Sequence, residues 1–188
     1  MNTNFHKTEF DEATQLKLEI YREYIRKWLP VFIEKKIEPP WNGNINIFDF
    51  FCGPGKDSTG RNGSPLVAIN ECRQYNDRLE EKGRLVNFFF SDQKTKKITR
   101  LNSVLSTYQI PSAVRYETNC EAFSHAFIRK LREISGAANL IFIDQCGVKQ
   151  VTEPVSKTLV DLKGTDFIFL LRHPTLSDLR RWMNLENT

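Results

Sequence analysis

Apolar positions near the start of the chain recur at helical spacing. Leu16, Ile20, Tyr24, Trp28 and Phe32 repeat every four residues, with charges on the other faces. That pattern predicts an amphipathic helix from Asp11 to Lys36 whose buried stripe is this set. Pro30 falls inside it and predicts a kink or break. Pro39-Pro40 and Asn42-Gly43 mark a loop. From Ile45 the period changes. Short apolar runs rich in β-branched and aromatic residues, at Ile45–Phe51, Leu85–Phe90, Val114–Glu117, Leu140–Asp144 and Phe167–Leu171, read as five strands. Helices are expected between them: one opening at Ser64-Pro65, where Ser serves as a cap and Pro fits the first turn, then Lys94–Tyr108, Glu121–Ser135 and Glu153–Leu162. A last helix is expected from Leu176 to Asn184.

Strands alternating with helices of ten or so residues imply βαβ units and a parallel sheet. Ile47-Phe48-Asp49-Phe50-Phe51 and Phe167-Ile168-Phe169-Leu170-Leu171 are nearly continuous apolar runs, as in strands buried on both faces. The expectation is one α/β domain over residues 1–188: an N-terminal helix over 11–36, then a three-layer, Rossmann-like core over 45–188. In such sheets ligands sit beyond the carboxyl ends of the strands, so the residues just after each strand matter most.

Composition narrows the class. With 40% hydrophobic and 27% charged residues among 188, and only nine glycines and eight prolines, the chain is globular rather than disordered or collagen-like. Its apolar runs are too short to span a membrane, and Met1 to Asp11 lacks a signal-peptide pattern, so the expected compartment is the cytoplasm. Cys52, Cys72, Cys120 and Cys146 form no CxxC pair, which argues against a zinc site or a disulfide framework. The net charge of +4 permits nucleic acid as a partner without demanding it.

The first strand runs into Asp49-Phe50-Phe51-Cys52-Gly53-Pro54-Gly55. Two glycines one residue apart allow a sharp turn and close approach of a ligand. Gly55 and Gly60 have P-loop separation, but Arg61-Asn62 follows where Lys-Ser/Thr is required, and Ser58 breaks the GxGxxG fingerprint. The next helix opens only near Ser64, so no helix N-terminus lies under the glycines to hold a pyrophosphate. S-adenosylmethionine, which has no phosphate, suits the loop better; a tight turn with no ligand is the alternative. Ser91-Asp92 ends the second strand, where Asp92 would hold ribose hydroxyls or cap a helix. Asn119-Cys120 follows the third, where Asn119 would meet an adenine edge or cap the helix at Glu121. Asp144-Gln145-Cys146-Gly147 follows the fourth: Asp144 would accept from an amine, or Cys146 would add to a base as a thiolate. His173 follows the fifth strand on the same side of the sheet. The basic runs at Lys94–Arg100 and Arg129–Arg132 read as solvated helix faces.

Taken together, the N-terminal helix, Ile47-Phe48-Asp49-Phe50-Phe51-Cys52-Gly53-Pro54-Gly55, Gly63-Ser64-Pro65-Leu66-Val67-Ala68-Ile69 and Phe142-Ile143-Asp144-Gln145-Cys146-Gly147 resemble the three-Cys-motif partner protein family. The resemblance runs from about Leu16 to Leu171. Its core is similar to class I methyltransferases. It implies S-adenosylmethionine at Asp49, Gly53, Gly55, Asp92 and Asn119, a methyl transferred near Asp144 and Cys146, and a three-cysteine-motif protein as partner. Family members usually carry Asp-Pro-Phe-Gly after the fourth strand, and a full methyltransferase sheet has seven strands. Five strands would leave Phe167–Leu171 as an open edge, to be covered by the last helix through Trp182, by a partner, by a second copy or by further sequence. The expected function is therefore S-adenosylmethionine binding and methyl transfer to an unidentified acceptor, nucleic acid being weakly favoured. The alternative is a non-catalytic module that docks a protein through its sheet edge.

Overall fold

The computed structural model describes residues 9–144 and 152–170. Among them, five parallel strands form one sheet: β1 (Ile45–Asp49), β2 (Val86–Ser91), β3 (Val114–Asn119), β4 (Ala138–Asp144) and β5 (Thr165–Leu170), in the order β3-β2-β1-β4-β5. The helices are α1 (Glu12–Glu34), α2 (Ser64–Arg73), α3 (Asn76–Glu81), α4 (Thr95–Ser106), α5 (Phe123–Ile134) and α6 (Glu153–Asp161). The three-layer Rossmann-like architecture expected from the sequence is present. No helix among the described residues is long and apolar enough to cross a membrane.

Side chains alternate across the sheet and feed two cores. On one face, Ile45, Ile47, Phe88, Phe90, Leu140, Phe142 and Ile168 meet α1, α2 and α4. On the other, Phe48, Phe50, Phe89, Ile141 and Ile143 meet α5 and α6. The second core is largely aromatic, with Phe50 edge-on to Phe89, Phe123 and Phe127.

One asparagine lies at the second position of β1, β2 and β4, and register places Asn87, Asn46 and Asn139 in a row. Asn87 Nδ2 donates to Asn46 Oδ1 (3.2 Å), and Asn46 Nδ2 donates to Asn139 Oδ1 (3.0 Å). The row also donates to Glu133 O and Ile134 O at the end of α5, carbonyls that the helix itself leaves unpaired.

Helix α1 departs from the sequence expectation in two ways. Asp11 caps it by accepting from Thr14 N (2.8 Å), but the buried face is Tyr21, Ile25, Trp28, Leu29 and Ile33. Leu16, Ile20 and Tyr24 are 62%, 46% and 36% exposed. A strict four-residue repeat drifts about 40° per step around a helix of 3.6 residues per turn, so the stripe from Leu16 to Phe32 cannot all face one surface. Pro30 does not end the helix. Its missing N–H leaves the Arg26 carbonyl without its helical donor, and the Tyr75 hydroxyl donates to that carbonyl instead (3.0 Å).

Candidate functional site

The carboxyl ends of β2, β1 and β4 carry Asp92, Asp49 and Asp144. β1 and β4 flank the point where strand order reverses, because β2 and β3 build out on one side and β4 and β5 on the other. Asp49 is fully buried, and its carboxylate accepts from Phe51 N (3.1 Å) and from Ser64 Oγ (2.6 Å). Burial, reinforced by the carboxylates of Asp144 and Asp92, pushes its pKa up to about 7 against these two hydrogen bonds. Ser64 therefore does not cap α2. The cap position is Gly63, and the Ser64 hydroxyl is spent on Asp49.

Both glycines after β1 have positive φ, 65° at Gly53 and 82° at Gly55, and both are buried. A Cβ on Gly55 would lie 2.9 Å from Leu101 Cδ1 of α4, so packing already requires glycine there. The rest of the loop is organised by Asp57, which sequence reasoning missed. Its Oδ1 accepts from Thr59 N, Thr59 Oγ1 and Arg61 N, and its Oδ2 from Phe10 N. Burial alone would raise this carboxyl, but those donors outweigh it and hold the pKa below the ordinary value. An Asp two residues after a Gly-x-Gly and two before a Thr was the available signal, since Asp side chains commonly accept from the backbone two residues on.

Asp92 is buried and braces the entry to α4. Its Oδ1 accepts from Lys94 N (2.9 Å) and its Oδ2 from Lys97 Nζ (2.7 Å). Next to it, the fully buried Ser91 hydroxyl has no hydrogen-bond partner. Asn119 is half-buried; its carbonyl accepts from Asp92 N (3.3 Å) and its amide donates to Glu117 Oε1 (3.3 Å). It does not cap the next helix, whose cap position is Ala122. Asp144 is partly exposed and takes an ion pair from Lys17 of α1 (2.8 Å). Cys146 lies outside the described residues, as do Gln145, Gly147, His173 and Trp182. Cys52 lies beside the cluster. Burial pushes its thiol well up, and Asp49 and Asp92 add to this, so it is a packed thiol rather than a nucleophile.

The fold thus brings Asp92 and Asp144 into the field of Asp49, with Asn119 joined to Asp92 through the backbone. Lys17 and Lys97, which occupy two of these carboxylates, come from helix surfaces that no local motif marks. Two clefts stand out among the described residues, and both lie elsewhere. One is an open groove of about 540 Å³ on α1, and the other is a polar cleft of about 450 Å³ that includes Asn46, Asn87, Arg115 and Lys130. Comparison of the chain with protein-family models, with curated proteins and with solved structures returns no match.

Proposed function

We propose that the protein binds S-adenosylmethionine at the carboxyl ends of β1, β2 and β4 and belongs, by its chemistry, with methyltransferases. The observation that carries this is the convergence of three carboxylates at the reversal point of a parallel sheet, beside a glycine turn and a buried hydroxyl that lacks a partner. S-adenosylmethionine presents a sulfonium and an ammonium, so a cluster of carboxylates suits it, whereas the cluster would repel a nucleotide phosphate. The residues fit the ligand with one displacement. Asp92 would take the ribose hydroxyls in place of Lys97 Nζ, Asp49 would sit under the methionine portion, and Asn119 would reach the adenine. Gly53 and Gly55 lie beneath the surface and would shape the loop rather than touch the ligand. The bound sulfonium supplies a methyl group with a good leaving group attached. The protein's task is alignment of an acceptor near Asp144.

Calorimetric titration with S-adenosylmethionine and S-adenosylhomocysteine, with ATP and NAD as controls, tests the reading. Binding of the first two alone, weakened by Asp92→Ala, is expected. Equal affinity in Asp92→Ala would remove Asp92 from the site, and no binding of any ligand would sink the proposal. The competing reading, a module that docks a three-cysteine-motif protein or another partner without binding the cofactor, rests on the ion pairs that already engage Asp92 and Asp144. It predicts that last outcome. An acceptor search would begin with nucleic acid, given the net charge of +4.

A further inference from the structure

The asparagine row runs on into a cleft. Register aligns Asn139 of β4, Asn46 of β1, Asn87 of β2 and Arg115 of β3 at the amino ends of their strands, opposite the aspartates. The amides point one way: Asn87 donates to Asn46, Asn46 to Asn139, and Asn139 to the Ile134 carbonyl. Asn46 and Asn139 are buried and spent within the row. Asn87 is half-buried and lines the polar cleft of about 450 Å³ together with Arg115, Glu117, Lys130, Arg132 and Glu133. Its nitrogen is committed to Asn46, and its Oδ1 accepts from no described residue. Lys130 is buried and already engaged, donating from Nζ to Glu117 (2.6 Å) and Glu133 (2.8 Å). Arg115 is tethered by Nη1 to the carbonyls of Ser112 (2.8 Å) and Val114 (3.1 Å), so its Nε–Nη2 edge remains for a partner. That edge takes a carboxylate through two parallel hydrogen bonds.

We propose that this cleft binds a free amino acid whose side chain ends in a carboxamide, glutamine or asparagine. Both signs of charge line it, Arg115, Lys130 and Arg132 against Glu117 and Glu133. A dianion would meet two carboxylates there, and a simple cation would meet three basic groups. A zwitterion places its carboxylate at Arg115 and its ammonium at Glu117 or Glu133. The row selects the side chain. A carboxamide is a neutral group that donates and accepts at once, so it can donate to Asn87 Oδ1 and become the next member of the row. Neighbouring strands lie about 4.8 Å apart, which puts Asn87 and Arg115 within reach of the two ends of one small molecule. The cleft's volume falls in the range of small-molecule sites, roughly 300–1,000 Å³. Both polar groups are held before any ligand arrives, Asn87 by the row and Arg115 by its own strand, which lowers the ordering cost of binding. The inference stands independently of the cofactor reading, whose residues lie at the other end of the strands.

NMR titration of the isotope-labelled 188-residue chain with L-glutamine and with L-asparagine tests it. One of the two should shift the Asn87 side-chain amide and Arg115 Nε–H signals to saturation. The matching acid, L-glutamate or L-aspartate, sets a carboxylate against Asn87 Oδ1 and should bind roughly tenfold more weakly or worse. Arg115→Ala alters an exposed position and should weaken binding roughly 10- to 100-fold, with the backbone signals of β2 and α5 in place. Asp92→Ala should leave the affinity unchanged, so this result is read apart from the cofactor titration. No saturable shift with either amide amino acid would overturn the proposal. So would equal affinity for the matching acid, or binding that survives Arg115→Ala. Inorganic phosphate that shifts the same signals at lower concentration would mark a plain anion site and would overturn it as well.

Discussion

Ionising Asp49 should cost the folded protein free energy, because its carboxyl is fully buried. The unfolded chain titrates this carboxyl near 3.8, and the folded chain near 7, because a fully buried carboxylate loses its hydration and faces Asp144 and Asp92. Between these values the native state holds a proton that the unfolded state has released. Stability therefore falls as pH rises through this window, by about 1.4 kcal/mol per pH unit, and levels off above the folded value. The whole window is worth about 4 kcal/mol. Asp49→Asn mimics the protonated carboxyl: Oδ1 still accepts from Phe51 N, and the Ser64 hydroxyl turns to accept from the new amide. Urea unfolding of both proteins from pH 4.5 to 8 isolates the effect, because Glu34, Asp57, Glu117 and Glu153, whose pKa values are lowered, act with the opposite sign and equally in both. The variant should exceed the wild type by only about 1 kcal/mol at pH 4.5 and by about 4 kcal/mol near pH 8, the latter a midpoint shift of about 2 M urea. A difference between the two proteins that stays constant across the range would refute the reasoning. The same linkage reaches the proposed ligand. A cation bound beside Asp49 favours its ionised form, so binding near pH 6 should release a proton, visible as a buffer-dependent enthalpy.

Asn139→Ala removes the amide that accepts from Asn46 and donates to the Ile134 carbonyl at the end of α5 and should cost about 1–3 kcal/mol, lowering Tm by roughly 2–12 °C. Asn139→Asp should do worse, since a carboxylate would face the Ile134 and Ala137 carbonyls; a loss under about 1 kcal/mol for either would show that the row is ornamental. Gly55→Ala and Gly60→Ala form a matched pair with φ of 82° and 87°, but only the first meets a neighbour within 4 Å. Both should lose about 1 kcal/mol to the backbone, and Gly55→Ala should lose more by chemical denaturation through its clash with Leu101. Equal losses would mean that α4 yields freely.

β1, β2 and β4 were legible because each is an apolar run closed by a polar residue, and burial on both faces leaves little else such runs can do; β3 is mostly exposed and β5 only partly buried, so the two-sided burial expected of Phe167–Leu171 is not met. The loop and the three aspartates followed from that placement. The buried face of α1 is not the one its four-residue repeat suggests because the helix carries two apolar stripes, and packing on the sheet and α2, including the stack of Tyr21 on Phe142, selects the one that holds Tyr21. Helix α3, at Asn76–Glu81, was missed because it is short and mostly polar, with Leu79 its only buried residue. The asparagine row did leave a trace, an Asn at the second position of three strands, but single polar residues at strand starts read as loop edges until register aligns them. Lys17 and Lys97 were illegible in principle, because their partners are set by how α1 and α4 lie across the sheet.

The proline inside α1 gives that helix a fixed address along its own axis. A regular helix offers the same face at every turn and can slide by one turn against its neighbours at small cost. Here only one mid-helix carbonyl has been deprived of its helical donor by a proline, and Tyr75 finds it. With Lys17 tied to Asp144 at one end and Trp28 to Asp166 further along, translation of α1 would break three unlike contacts together. A ligand that drew Asp144 away from Lys17 would loosen the end nearest the strand carboxyl ends while leaving the far end in register.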